Sequence, residues 1–244
     1  MSLHIGCCGW ALPQAEYFRN FSTIEVQQTF YQPPRLETLV KWRQSAPPEF
    51  EFTLKAWQLI THESTSPTYR RLKISISERK KMRYGAFRPT EEVHASWRTT
   101  LDCAQALRAQ IVVFQCPASF MPTDQHIENM RGFFTRARSE AKDLLFAWEP
   151  RGEWTDSVVQ TICKEFRLIH AVDPFIRQPV TGGVRYFRLH GISGYRYSYS
   201  DADLDRLAGW CHEESYAMFN NMSMAQDALR FRARYRRGGI HPVG

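Results

Sequence analysis

Residues 144–154 read LLFAWEPRGEW, an apolar run that stops at a carboxylate, a proline, a guanidinium, a glycine and an indole. An apolar run of this length, bounded by Pro and Gly, suits a strand buried on both faces, as the strands of a parallel sheet are. Glu149, Arg151 and Trp154 then leave its C-terminal end. Other apolar runs end in the same manner, in Gln115, Asp173, His190 and Asn220. In a parallel barrel all such ends converge on one face, the face on which barrel enzymes keep their sites.

Working outward from that stretch, apolar β-rich runs alternate with amphipathic ones, the pattern of repeated βα units. Seven further strands are expected at Leu3 to Cys8, Thr23 to Val26, Phe50 to Ala56, Ile111 to Gln115, Leu168 to Val172, Val184 to Leu189 and Tyr216 to Phe219. Helical spacing falls at Leu36 to Gln44, Glu91 to Leu107, His126 to Ala141, Val158 to Phe166, Leu204 to His212 and Met224 to Tyr235. The pattern predicts an α/β fold, a single (β/α)8 TIM barrel over residues 1–244. Its longest interruption, residues 57–90, is expected to hold a basic insertion after strand three, at about 62–90 on the C-terminal face; long loops in compact domains are usually functional or disordered.

Composition agrees with one soluble globular domain: 244 residues, 43% apolar and 23% charged. No apolar run approaches the roughly 20 residues that cross a bilayer, so no membrane partner is expected. MSLHIGCCGW has neither the basic start nor the long apolar centre of a signal peptide, which makes the cytoplasm the expected location. The six cysteines are read as reduced, buried thiols. Cys7 and Cys8 are adjacent, so on a strand they point to opposite faces and form no metal clasp. The formal charge is +7 and uneven. Arg70, Arg71, Lys73, Arg79, Lys80, Lys81, Arg83 and Arg88 stand against one acid, Glu78, and FRARYRR from Phe231 forms a second basic run. Such clusters suit a polyanion or simply a solvated surface.

IGCCGW (5–10), IEVQQTFY (24–31), ITH (60–62), VVFQCPASF (112–120), WEPRGEW (148–154), YFRLHG (186–191) and FNN (219–221), in this order, resemble the TIM-barrel family called domain of unknown function 72, the YecE-like proteins. The resemblance implies a (β/α)8 barrel, and ligands of the nucleic-acid or phosphate kind by likeness to other barrels. It points to Trp10, Glu25, Thr29, Tyr31, Lys55, His62, Gln115, Glu149, Arg151, Trp154, Asp173, Arg188, His190, Asn220 and Asn221. The family usually has Asn at the position of Gln27, and a hydroxyl residue is common at the CCG position.

At one barrel mouth these residues set Lys55, Arg151 and Arg188 against Glu25, Glu149 and Asp173. Such a mixture can hold an anion while shifting carboxylate and imidazole pKa values towards proton transfer. Glu149 and His190 are the leading acid/base candidates, with Asp173 and Glu25 as further catalytic carboxylates. Alternatively, Glu149 with Arg151 and Asp173 with Arg188 pair to satisfy a polar barrel end. The loop from His190 through Gly191 to Gly194, with Asn220, Asn221 and Ser223 ahead of the last helix, offers a phosphate site of backbone amides; its glycines can equally serve a turn.

Glu149, Asp173 and His190 would also make a set of divalent-metal ligands, but Arg151 and Arg188 beside them repel a cation, so no metal residue is assigned and the cofactor is left open. Glycosidase chemistry needs two carboxylates, whereas strands four and seven end in Gln115 and His190. Tyr31, Trp57, Tyr69, Trp154, Tyr195, Tyr197 and Tyr199 can stack on bases or close loops over the barrel. The expected partner is therefore an anionic small molecule or a nucleic acid. The expected activity is acid/base chemistry on a phosphate-bearing substrate, with non-catalytic nucleic-acid binding as the alternative.

Overall fold

The computed structural model describes residues 2–237, with side chains as far as Tyr235. The last two arginines of FRARYRR therefore have side chains outside the described residues. Eight parallel strands close on themselves in chain order: β1 (Leu3–Cys8), β2 (Thr23–Val26), β3 (Glu51–Lys55), β4 (Ile111–Gln115), β5 (Leu145–Glu149), β6 (Ile169–Val172), β7 (Arg185–Leu189) and β8 (Ser215–Phe219). The seam pairs β1 with β8, from Leu3 with Ser215 to Cys7 with Phe219. The chain thus forms a TIM barrel, as its sequence predicts.

Strand periodicity divides the interior in two. Val112 and Phe114 of β4, with Phe146 and Trp148 of β5, join the layer between sheet and helices, where Phe87, Trp97, Phe133 and Phe134 meet them. The alternate residues Ile111, Val113, Ala147, Ala171, Tyr186, Tyr216 and Met218 fill the lumen. Burial on both faces is why the strands read as nearly continuous apolar runs.

In chain order the helices begin with α1 (Gln14–Asn20), α2 (Gln28–Tyr31), α3 (Leu36–Ser45), α4 (Gln58–Thr61) and α5 (Glu78–Lys81). Then follow α6 (Glu91–Leu107), α7 (Asp124–Glu140), α8 (Asp156–Phe166), α9 (Asp201–Trp210) and α10 (Met224–Arg237). Thr90, Thr123 and Thr155 each cap a helix by accepting a backbone N–H three residues on, which supplies one of the donors a helix start leaves unpaired. Helix α1 departs from the sequence reading: its Tyr17 hydroxyl accepts the Cys7 amide at 2.7 Å and donates to the Thr23 carbonyl at 3.0 Å, tying β1 to β2. As in the sequence reading, β6 passes to β7 through residues 173–184 without a helix.

The stretch 57–90 is not one long excursion. Helix α4 is wholly buried, and Gly85, Ala86 and Phe87 return to it: their amides donate to the carbonyls of Leu59, Thr61 and Ile60 at 2.8, 3.2 and 2.9 Å. Gly85 takes φ +80°, and a Cβ there would meet the His62 carbonyl oxygen at 2.3 Å, so only glycine fits this close approach. Residues 63–84, with α5 and a 3₁₀ turn at Pro67–Arg71, span this buried neck, and most of that span is exposed.

Candidate functional site

The polar centre of the barrel is Arg188. Period-two alternation places Tyr186 and Arg188 on the lumen side of β7, and Arg188 is fully buried. Its Nε and Nη2 donate to the two oxygens of Glu25 at 3.0 and 2.7 Å, and its Nη1 donates to Gln115 Oε1 at 3.0 Å and to Glu149 Oε2. Tyr186 adds a hydroxyl to Glu25 at 2.9 Å, and the Gln27 amide donates to the other Glu25 oxygen. Burial alone would raise both carboxylates. The Arg188 charge outweighs it, lowering the Glu25 pKa and holding Glu149, which also has Arg151 beside it, well below the usual carboxylate range. Both are therefore ionised at neutral pH. The fifth N–H of Arg188 is directed at Cys8 Sγ, 3.8 Å from Nη2, so Arg188 has none to spare for a ligand, and Glu25 accepts from three partners; these two expected ligand-facing residues form the polar floor of the site.

Above that floor runs a chain of four side chains. Arg151 donates through Nε to Glu149 Oε1 at 2.9 Å and through Nη2 to His190 Nε2 at 2.8 Å. Guanidinium has donors only, so Nε2 accepts. The imidazole proton then sits on Nδ1, which faces Asp173 Oδ2 at 3.7 Å. Asp173 is fixed by the amides of His190 at 2.9 Å and Phe175 at 3.1 Å. The chain borders a cavity of about 500 Å³ lined by Glu149, Arg151, His170, Asp173, Ile176, Arg177 and His190, among others. His170 and Arg177 carry no strand-end signal in the sequence. His170 lies within β6 rather than at its end, and burial followed by the Arg177 charge lowers its pKa to about 4. Arg177 lies beyond the Asp173-Pro174 stop and pairs with Asp156.

On the β2–β3 side, Lys55 Nζ stands 3.4 Å from the centroid of the Phe30 ring, and the His62 ring meets that ring edge-on at 4.9 Å. Burial, then the Arg188 charge, lowers Lys55 to about 7; burial, then Lys55 and Arg151, lowers His62 to about 3. The mutual influence places Lys55, His62 and Arg151 in one electrostatic neighbourhood with Glu149. Thr29 secures this corner, its hydroxyl donating to the Lys55 carbonyl at 2.7 Å.

Other expected contacts are engaged elsewhere. Trp154 donates to the Phe120 carbonyl at 2.7 Å inside the core. Trp10 packs against Tyr17, Phe18 and Trp42. The Gly191 amide donates to the Tyr199 hydroxyl at 2.8 Å, and the buried Asn221 amide nitrogen donates to Asp227 and the Tyr197 carbonyl, each at 2.7 Å. These donors are thus spent within the loop after β7, on that loop from the one after β8, and on α10, rather than on a phosphate cradle; Asn220 beside them is half-buried.

Of the aromatics weighed for base stacking, Trp57, Trp154 and Tyr199 are buried, Tyr69 and Tyr197 hold hydrogen bonds through their hydroxyls, and Tyr31 lies under Arg71. Tyr195 is the well-exposed ring among them, at 57%. In the basic stretch Lys81, Arg83 and Arg88 pair with Glu78, Glu92 and Glu63. All six thiols are free and buried, and burial pushes Cys7, Cys103, Cys163 and Cys211 up to about 12, away from the thiolate form that reacts. Among the described residues no group of three His, Cys, Asp or Glu side chains is arranged to hold a metal ion, and no helix is long and apolar enough to cross a membrane.

Comparison with known proteins matches residues 4–238 to a family model described as "Protein of unknown function DUF72". Solved structures share the fold. A DUF72 family protein from Enterococcus faecalis V583 has a TM-score of 0.72 at 18% identity, covering 96% of this chain and 98% of its own. One from Thermotoga maritima MSB8 has 0.65 at 19%, covering 97% and 100%. A xylose isomerase domain containing protein from Salmonella typhimurium LT2 has 0.59 at 12%, covering 97% of each chain. No curated protein matches.

Proposed function

This chain belongs to the DUF72 family, and we propose that it is an enzyme that binds a small phosphate-bearing substrate at the barrel mouth and moves a proton on it through His190. The observation that carries the reading is the position of His190 between Asp173 and Arg151 at the edge of the cavity. A base with a carboxylate facing one nitrogen, here at 3.7 Å, and the other nitrogen turned to open space is an arrangement suited to proton abstraction. Here the second nitrogen is covered by Arg151, whose side chain is 39% exposed. A substrate phosphate draws that guanidinium into a bidentate contact, and Nε2 is then free to take a proton while Asp173 stabilises the imidazolium. Glu149 acts as a permanent carboxylate that aims Arg151.

The test is thermal melting with inorganic phosphate, a sugar phosphate, a nucleotide, and short single- and double-stranded oligonucleotides, for wild type and Arg151→Ala. A ligand that binds only the folded state raises Tm. The expected result is a rise with the small phosphates that Arg151→Ala abolishes. A rise with oligonucleotides alone that survives this change, and is lost on neutralising Arg79 and Lys80, would transfer binding to the β3–α6 connection and replace the enzyme reading with nucleic-acid binding. No shift with any of them would overturn both.

A further inference from the structure

Lys55 differs from the six other lysines of the chain, at 41, 73, 80, 81, 142 and 164, because they are exposed or half-buried and it is buried, at 5% exposure. It ends β3 on the lumen side, the alternate residues Phe52 and Leu54 facing the helices. Buried lysines are ordinarily paired, yet among the described residues no carboxylate oxygen lies within 4.0 Å of Nζ and no acceptor receives its hydrogen bonds; its described partner is the face of Phe30 at 3.4 Å. The acids that would pair with it are taken: Glu25 holds Arg188, Tyr186 and Gln27, and Glu149 holds Arg188 and Arg151. A lysine whose task is to grip an anion keeps its proton. Enclosed and unpaired, with Arg188 and Arg151 set against the opposing pull of Glu25 and Glu149, this one sheds it near neutrality chiefly because it is buried, and a neutral amine is a nucleophile.

We propose that Lys55 captures the carbonyl of an anionic aldehyde or ketone as an imine. The substrate class is thereby narrowed to small phosphorylated or carboxylated carbonyl compounds; this rests on the reading of Arg151 as the anion grip and His190 as the base. The Nζ lone pair forms a C–N bond to the carbonyl carbon while the C=O π pair moves to oxygen. One N–H proton passes to that oxygen, giving a carbinolamine. The C–O bond then breaks, and the hydroxyl leaves with the second N–H proton as water. Nothing is oxidised or reduced. Taking up one proton turns the imine into an iminium, which acidifies the neighbouring C–H, and the proposal assigns removal of that proton to His190 Nε2.

Trapping tests this directly. The full chain is incubated at pH 7 with glyoxylate, pyruvate, dihydroxyacetone phosphate or uncharged propionaldehyde, reduced with sodium borohydride, and mapped by peptide mass spectrometry. The expected result is one adduct per chain from an anionic probe, on Lys55, at least tenfold above any other lysine and absent in Lys55→Arg. Wild-type adducts spread over the surface lysines, or none on Lys55, would overturn the proposal, and because this mapping is done on the wild type the answer does not depend on the variant folding. The two readings fail separately. A phosphate melting shift lost in Arg151→Ala, with no Lys55 adduct, sinks the imine alone. A Lys55 adduct equally strong with propionaldehyde and untouched by Arg151→Ala keeps the amine and sinks the anion grip.

Discussion

Arg188 reaches across the barrel lumen from β7 to hold both oxygens of Glu25 on β2, at 3.0 Å through Nε and 2.7 Å through Nη2. The same guanidinium holds Glu149, so one buried cation balances two buried anions. Its removal leaves charge in a medium that cannot solvate it. Arg188→Ala is expected to cost about 3–5 kcal/mol, read as a lower urea midpoint. Arg188→Lys should recover less than half of it, since an ammonium cannot reproduce the fork. A loss of under about 1 kcal/mol for Arg188→Ala would show that the cluster does not anchor the lumen.

Lys55 is expected to be a stability defect kept for chemistry. Its folded pKa of about 7 lies below the ordinary lysine value of 10.5, so between these two pH values the unfolded chain binds more protons, and wild-type stability rises with pH across that window. Lys55→Met keeps the volume and removes the amine. It should stabilise the protein by about 1–3 kcal/mol at pH 7 and flatten the rise. Denaturant melts from pH 7 to 10 check both; a destabilised variant would mean that the amine is well satisfied.

Acid should weaken the fold in two stages. His62 and His170, lowered to about 3 and 4 from 6.5, bind fewer protons folded than unfolded, so stability present above pH 6.5 falls as pH drops through the range down to about 4. Below pH 4.5 the ionised Glu25 and Glu149 add a second decline of the same sign. His170→Gln, measured by chemical denaturation between pH 7 and 4, should flatten the first stage by up to about 3 kcal/mol and leave the second. An unchanged slope above pH 4.5 would assign that stage to other groups.

Gly85→Ala should open the neck of the β3–α6 connection. The change requires a left-handed backbone and a Cβ 2.3 Å from the His62 carbonyl oxygen, and is expected to cost on the order of 2 kcal/mol or more. Hydrogen exchange should rise first at Leu59–Phe87 and leave the barrel strands protected. A uniform loss of protection would mean that the neck and the barrel open together.

The strands were legible because a doubly buried strand needs apolar residues at every position, and the Gly and Pro residues that follow mark its end. Helix α1 was not, since its seven residues present only Tyr17 and Phe18 as large apolar side chains. The neck joins residues more than twenty positions apart through backbone bonds that carry no side-chain signal. In the site, strand ends located Glu149, Asp173 and His190 on one face, but an end residue and a lumen residue look alike in a list. The parity of β7 was the available clue: Phe187 and Leu189 face the helices, so Arg188 must point inward, beneath the mouth.

The crossover from β6 to β7 lacks a helix, and Ile176 on it is 73% exposed while lining the cavity. Elsewhere a helix backs the strand like a stave behind a panel; here the wall is a single loop. On that side the cavity is therefore walled by loop rather than helix, with Ile176 at its edge. Bulk at Ile176 would narrow the cavity, so redrawing this one loop can change what fits there while Arg151, Asp173 and His190 stay as they are.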